Sequence, residues 1–130
     1  MKCSECHIKM GSSRTPEVVR NIKKEFEEYV SVCPICFNIV QSSFIEEVIK
    51  FEEIDRELPK GEIGMVMAIG IGWLMESLVL NKNEIVPIFE HIIDEGKDPW
   101  IILEKLSRSS TTNVKKNVNK ARLQLEQLIK

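Results

Sequence analysis

The sequence has no phosphate-cradling glycine loop, no nucleophile elbow and no H-E-x-x-H. The common local signatures of nucleotide binding, serine hydrolysis and metalloproteolysis are thereby missing. Histidine is scarce, at two in 130 residues. His91, among Phe89, Ile92 and Ile93, reads as a core-edge or surface residue, and one histidine builds no active site. No apolar run approaches the roughly 20 residues that cross a bilayer. The most apolar stretch, Ile63 to Met75, is thirteen residues without a charge, and Glu76 and Ser77 follow at once. A buried helix is expected there, and no membrane partner. Met1 to Met10 is polar where a secretory signal carries an apolar segment, so a cytoplasmic location is expected. Internal repeats are lacking, and low complexity is confined to the Ser/Thr-rich loop from Ser107 to Asn113.

A broad basic excess is absent too: the formal net charge is -2. Residues 1–40 carry six basic and five acidic side chains, residues 41–98 five and thirteen, and residues 99–130 seven and two. The acidic middle and basic end could attract each other within or between chains, and a positive tail could meet nucleic acid. The hydrophobic fraction of 43% and charged fraction of 29% are those of an ordinary globular chain with a core.

Along the chain, Ile8 and Met10 could start a short strand and Gly11-Ser12-Ser13 a turn. Thr15 as N-cap, Pro16 at the first helical position and Glu17 in the first turn predict a helix to about Glu28, with Val18, Val19, Ile22, Phe26 and Tyr29 on one face. Tyr29 to Val32 and Phe37 to Val40 are strand-prone. From Ser43 the pattern turns helical. One helix, which Ser43 can cap, carries Phe44, Ile45, Val48 and Ile49, could extend to Phe51 and ends before Leu58-Pro59-Lys60-Gly61; the apolar helix follows, with Gly64, Ala68 and Gly72 as a stripe of small residues for close packing. A third helix is capped by Asn81 or Asn83, with Pro87 near its first turn and its stop at Gly96. A fourth starts at Asp98-Pro99. A last one presents Val114, Val118, Ala121, Leu125 and Leu128 as a short heptad-like seam.

What the sequence does have is four cysteines in two C-x-x-C pairs, Cys3/Cys6 and Cys33/Cys36, 26 residues apart. Two intervening residues let both sulfurs of a pair face one ion, and two such knuckles complete a closed tetrahedral thiolate site. Cys33-Pro34-Ile35-Cys36 is the more typical knuckle, because proline stiffens the turn. The gap exceeds the 15–20 residues of a simple ribbon, an excess explained by a helix inserted between strands. In a reducing compartment such pairs are metal ligands before they are disulfides. Structural zinc is expected, since no position is left for water or substrate, and iron has the same ligand count. A redox dithiol would need a βαβ setting that the pattern lacks.

Other chemistry-bearing residues have bland readings. His7, next to Cys6, could replace a sulfur but reads as an exposed neighbour. Glu76, a carboxylate just past the apolar run, could be a buried acid of raised pKa and reads more simply as solvent-reaching. Glu46, Glu47, Glu52, Glu53, Asp55 and Glu57 form a solvated face, and Met65, Met67 and Met75 fill core. Lys115, Lys116, Lys120 and Arg122 on the last helix are the candidate nucleic-acid contacts.

Cys3-Ser4-Glu5-Cys6, Cys33-Pro34-Ile35-Cys36, the stretch from Ala68 to Leu80 with Glu76-Ser77-Leu78, Asp98-Pro99 and Gln124-Leu125-Glu126-Gln127-Leu128 together make the chain resemble a family of small uncharacterised archaeal proteins. That resemblance implies an N-terminal zinc-ribbon-like module and a helical C-terminal region, and it implies no activity. The expected architecture is mainly α. A zinc-ribbon-like module of short strands and one helix (1–43) is followed by a helical domain of four or five helices (44–130). The expected role is a zinc-holding, non-enzymatic binding or adaptor protein with a macromolecular partner. Self-association through the glycine-striped helix or the last helix is a further expectation. The alternatives are a nucleic-acid-associated ribbon protein and, last, an enzyme built on Glu76 and His91.

Overall fold

A computed structural model describes residues 2–44, 49, 58–108 and 123–127. In chain order it has strand β1 (Gly11–Arg14), helix α1 (Glu17–Ile22), strands β2 (Tyr29–Val32) and β3 (Ile39–Ser42), then helices α2 (Glu62–Glu76), α3 (Leu78–Asp94) and α4 (Pro99–Arg108). Residues 123–127 are also helical.

The strands form an antiparallel sheet in the order β1-β2-β3. The register sets Gly11 opposite Val32 and Arg14 opposite Tyr29, then Tyr29 opposite Ser42 and Val32 opposite Ile39. Gly11-Ser12-Ser13 is thus strand, where the sequence predicts a turn. Ser12 and Ser31 face each other, buried, with their hydroxyls 2.7 Å apart, so the two polar groups satisfy one another across the ladder.

Helix α1 is shorter than its predicted span, Pro16 to Glu28. Lys23 is extended and closes it with N–H to the Val19 carbonyl. The cause is non-local. Thr15 donates its N–H to the Glu28 carbonyl and its hydroxyl to the Glu27 carbonyl, at 2.8 and 2.6 Å, which prolongs the β1–β2 ladder and pulls residues 27 and 28 out of any helix. Thr15 therefore serves the ladder and does not cap. At Ile49 the backbone exchanges two hydrogen bonds with Ser12, β pairing where a helix was expected. The rest of that predicted helix lies outside the described residues.

Helix α2 is buried at every residue from Gly64 to Leu74, as its uncharged sequence dictates. Ser77 is extended and separates it from α3: its hydroxyl accepts the Leu80 N–H at 3.2 Å, so Ser77 is the N-cap. Asn81 does not cap. Its buried side-chain amide donates to the Trp73 carbonyl at 2.9 Å, and Pro87 falls well inside α3. Asp98 caps α4 as expected, its carboxylate accepting N–H bonds from Trp100 and Ile101 at 2.9 and 3.3 Å. Of the predicted seam, Leu125 is fully buried, and Val114, Val118, Ala121 and Leu128 lie outside the described residues. No described helix is long and apolar enough to cross a membrane.

One apolar core joins the sheet to the helices. Val30, Val32 and Phe37 pack in the same cluster as Ile69, Ile71, Trp73, Ile88 and Leu103. Phe26 meets Trp73 edge to face at 6.2 Å between ring centroids, and Phe89 meets Trp100 likewise at 5.3 Å. Lys23 Nζ lies 5.3 Å from the Trp73 ring centroid.

The small residues of α2 explain how closely the parts approach. A Cβ on Gly72 would lie 2.6 Å from the Phe37 carbonyl oxygen and 2.5 Å from Ile39 Cδ1, while one on Gly70 would lie 2.8 Å from Ile88 Cγ2. Gly72 is therefore filled by the backbone just after Cys36, and not by a neighbouring helix. Gly72→Ala should cost about 1–3 kcal/mol, because a carbonyl held in a turn has nowhere to move. Gly70→Ala should cost less, since only side-chain atoms of Ile88 and Phe89 stand in the way and no backbone atom does, while the helix preference for alanine, about 1 kcal/mol, applies at both sites. Denaturant unfolding of both variants checks this; no loss of stability in Gly72→Ala would mean that the approach there is not tight.

Candidate metal centre

Both C-x-x-C pairs are hairpin loops with the same backbone wiring. In the first, the Cys3 N–H donates to the Ile8 carbonyl and the His7 N–H to the Cys3 carbonyl, both at 2.9 Å. In the second, the Cys33 N–H donates to the Asn38 carbonyl at 3.1 Å and the Phe37 N–H to the Cys33 carbonyl at 2.9 Å. The first loop is closed by a Lys2–Lys9 bridge, and the second joins β2 to β3. The residue after the second cysteine is left-handed in each, His7 at φ 58° and Phe37 at φ 59°. Such a conformation strains a residue with a side chain, a bulky one most. The same strain recurs at equivalent positions of both loops, so it belongs to the knuckle itself.

The sheet register brings the two loops side by side. With Gly11 paired to Val32, the chain leaving the first knuckle runs along the chain entering the second. The four sulfurs consequently converge: all lie within 4.8 Å of one another, and Cys3 Sγ is 3.7 Å from Cys36 Sγ. None is disulfide-bonded. A tetrahedron with metal–sulfur bonds of about 2.3 Å has edges of about 3.8 Å, so the spacing suits one ion held by all four. Cys3 and Cys33 are buried and Cys6 and Cys36 half-buried, in an apolar surround of Met10, Ile8, Ile35 and Val40.

The local field is divided among the thiols. Burial pushes Cys3 up, but N–H bonds from Cys6 and Glu5, with the thiols of Cys36 and Cys33, outweigh it and bring Cys3 below its ordinary value. Burial dominates at Cys6 and Cys36, and both are raised. The Ile35 N–H also points at Cys33 Sγ, 3.4 Å away. Backbone donors of this kind orient ligands and spread thiolate charge. A metal would bind the thiolate forms, so loading would release protons, and the raised Cys6 and Cys36 would make it compete with protons to higher pH. Affinity should therefore fall as the pH falls.

A family model, that of a family of unknown function (DUF6276), matches residues 2–129. The chain belongs to DUF6276. No curated protein and no solved structure matches it.

In this DUF6276 chain the other sequence-predicted residues are scattered. His7 is exposed and stands apart from the four-sulfur group. Glu76 is exposed at the end of α2, not buried. His91 lies thirteen residues beyond Leu78 on α3, about 20 Å along the helix axis, and shares no described cavity with Glu76. Lys115, Lys116, Lys120 and Arg122 lie outside the described residues. Sequence reasoning missed the left-handed conformation of His7 and Phe37, and also Asn38, while Gly72 was legible as a point of close approach but its occupant was not. The shared C-x-x-C-x-x frame was the available signal for His7 and Phe37, because each follows the second cysteine of its pair.

His7→Gly should raise stability by about 0.5–1 kcal/mol by relieving the left-handed strain, with metal stoichiometry unchanged. Cys33→Ser should abolish the tetrahedral cobalt(II)–thiolate absorption of the cobalt-substituted protein. Titration of both variants with cobalt(II) checks this, and loss of metal in His7→Gly would instead make the imidazole a ligand.

Proposed function

We propose that Cys3, Cys6, Cys33 and Cys36 hold one structural zinc ion in a zinc-ribbon-like module. On this reading the DUF6276 protein is a non-enzymatic binding or adaptor protein of the cytoplasm, the reducing compartment in which paired cysteines persist as ligands. What supports it is the convergence of four sulfurs within 4.8 Å, a spacing that suits a tetrahedral ion with no coordination position left for water or substrate. Iron would take the same four ligands, and the colour of the purified protein separates it from zinc.

The metal's role follows from the size of what it joins. The three strands have four residues each and α1 has six. Such pieces hold together poorly without a staple. Metal binding to modules of this kind contributes on the order of 10 kcal/mol to folding. A rigid knuckle surface is then available to a macromolecular partner, and a second copy of the chain is one candidate.

Two measurements test this. Chelation at neutral pH should remove amide-exchange protection from β1, β2 and β3 first, with Val30 and Val32 as reporters, and lower the overall melting temperature. In the cobalt-substituted protein, added azide or imidazole should leave the spectrum unchanged. A new exogenous-ligand band would reveal an open coordination position and contradict a purely structural ion.

A further inference from the structure

A cavity of about 260 Å³ lies in the seam between the two knuckles and the end of α2. Its walls come from three places far apart in sequence: Glu5 in the first knuckle, Cys36 and Asn38 in the second, and Met75 and Glu76 on α2. Gly72 also lines it, where the Phe37 carbonyl and Ile39 press against α2. Glu5 and Glu76, both exposed, stand at its wall, and half-buried Ile39 and Met75 supply apolar wall. Neither carboxylate has an ion-pair partner among the described residues.

We propose that this cavity binds a single cationic group on an apolar stem, an alkylammonium or alkylguanidinium. This inference rests on the metal-site reading. Four thiolates around a dication leave a formal charge of -2 beside Cys36, and the carboxylates of Glu5 and Glu76 add to it from separate elements. A negative field focused in a concave, largely apolar site selects cations. The size selects among them. At about 30 Å³ per water-sized group, the cavity takes a chain of a few carbons and its head group. The stem would lie along Ile39 and Met75, and the head would be shared between the carboxylates, with the Asn38 side-chain amide oxygen as a further acceptor. A lysine or arginine side chain of a protein partner has this form, as does a small free amine.

The test uses full-length protein whose metal content has been measured beforehand. Amide NMR follows Gly72, Met75 and Asn38 during titration with n-butylamine and agmatine, with a blocked tetrapeptide containing one lysine or arginine, and with n-butanol as the neutral control. Saturable shifts at these residues are expected with the cations and not with butanol, in the millimolar range for such small probes. Glu76→Gln and Glu5→Gln, at unchanged metal content, should each weaken binding about threefold to fivefold, and added salt should weaken it further. Tighter binding of the peptide assigns the site to a partner's side chain; tighter binding of the free amine assigns it to a small ligand. Absence of shifts in metal-loaded protein overturns the proposal, as does equal binding of butanol or indifference to both glutamine variants. Protein that holds no metal under reducing conditions would instead overturn the metal-site reading itself.

Discussion

Four sulfur atoms crowded within a few ångströms of one another are the constraint on which the N-terminal half depends. Thiolates at that separation repel, and thiols buried there lose the solvation that would let them ionise. A thiophilic dication would resolve both difficulties by replacing the protons and supplying the opposite charge. The backbone is already shaped for it. Each knuckle spends strain on a left-handed residue, and in return the loop directs amide hydrogens toward sulfur and brings the two thiols of its pair together.

An ion bridging the knuckles would be an effective cross-link because of where they are anchored. Each is the loop of a hairpin, and the β1–β2 register sets the loops abreast. The second knuckle also leans on α2, where Gly72 admits the Phe37 carbonyl and Phe37 itself is buried in the main core. Metal site, sheet and helices are therefore mechanically continuous, although the sulfurs have a small apolar surround of their own.

The parts legible in the sequence are those set by nearby residues. The C-x-x-C pairs, the uncharged run of α2, the strand propensity of Tyr29 to Val32 and the Asp98 cap each state their structure locally. What failed was decided across the chain. Thr15 looked like a cap until Glu27 and Glu28 claimed its hydroxyl and amide, and that pairing shortened α1. Gly11-Ser12-Ser13 looked like a turn, but two buried hydroxyls satisfy each other only when Ser12 lies opposite Ser31. Asn81 offered a cap and is used instead to tie α3 to the end of α2. Glu76 was noticed as an isolated charge, but its neighbours across the seam, Glu5 and Asn38, are invisible without the fold.

The central claim, one ion held by sulfur alone, is tested most directly by X-ray absorption at the metal edge of protein purified under reducing conditions. One zinc per chain with four sulfur neighbours at about 2.3 Å is expected. Nitrogen or oxygen neighbours at about 2.0–2.1 Å, or an absence of stoichiometric metal, would contradict it.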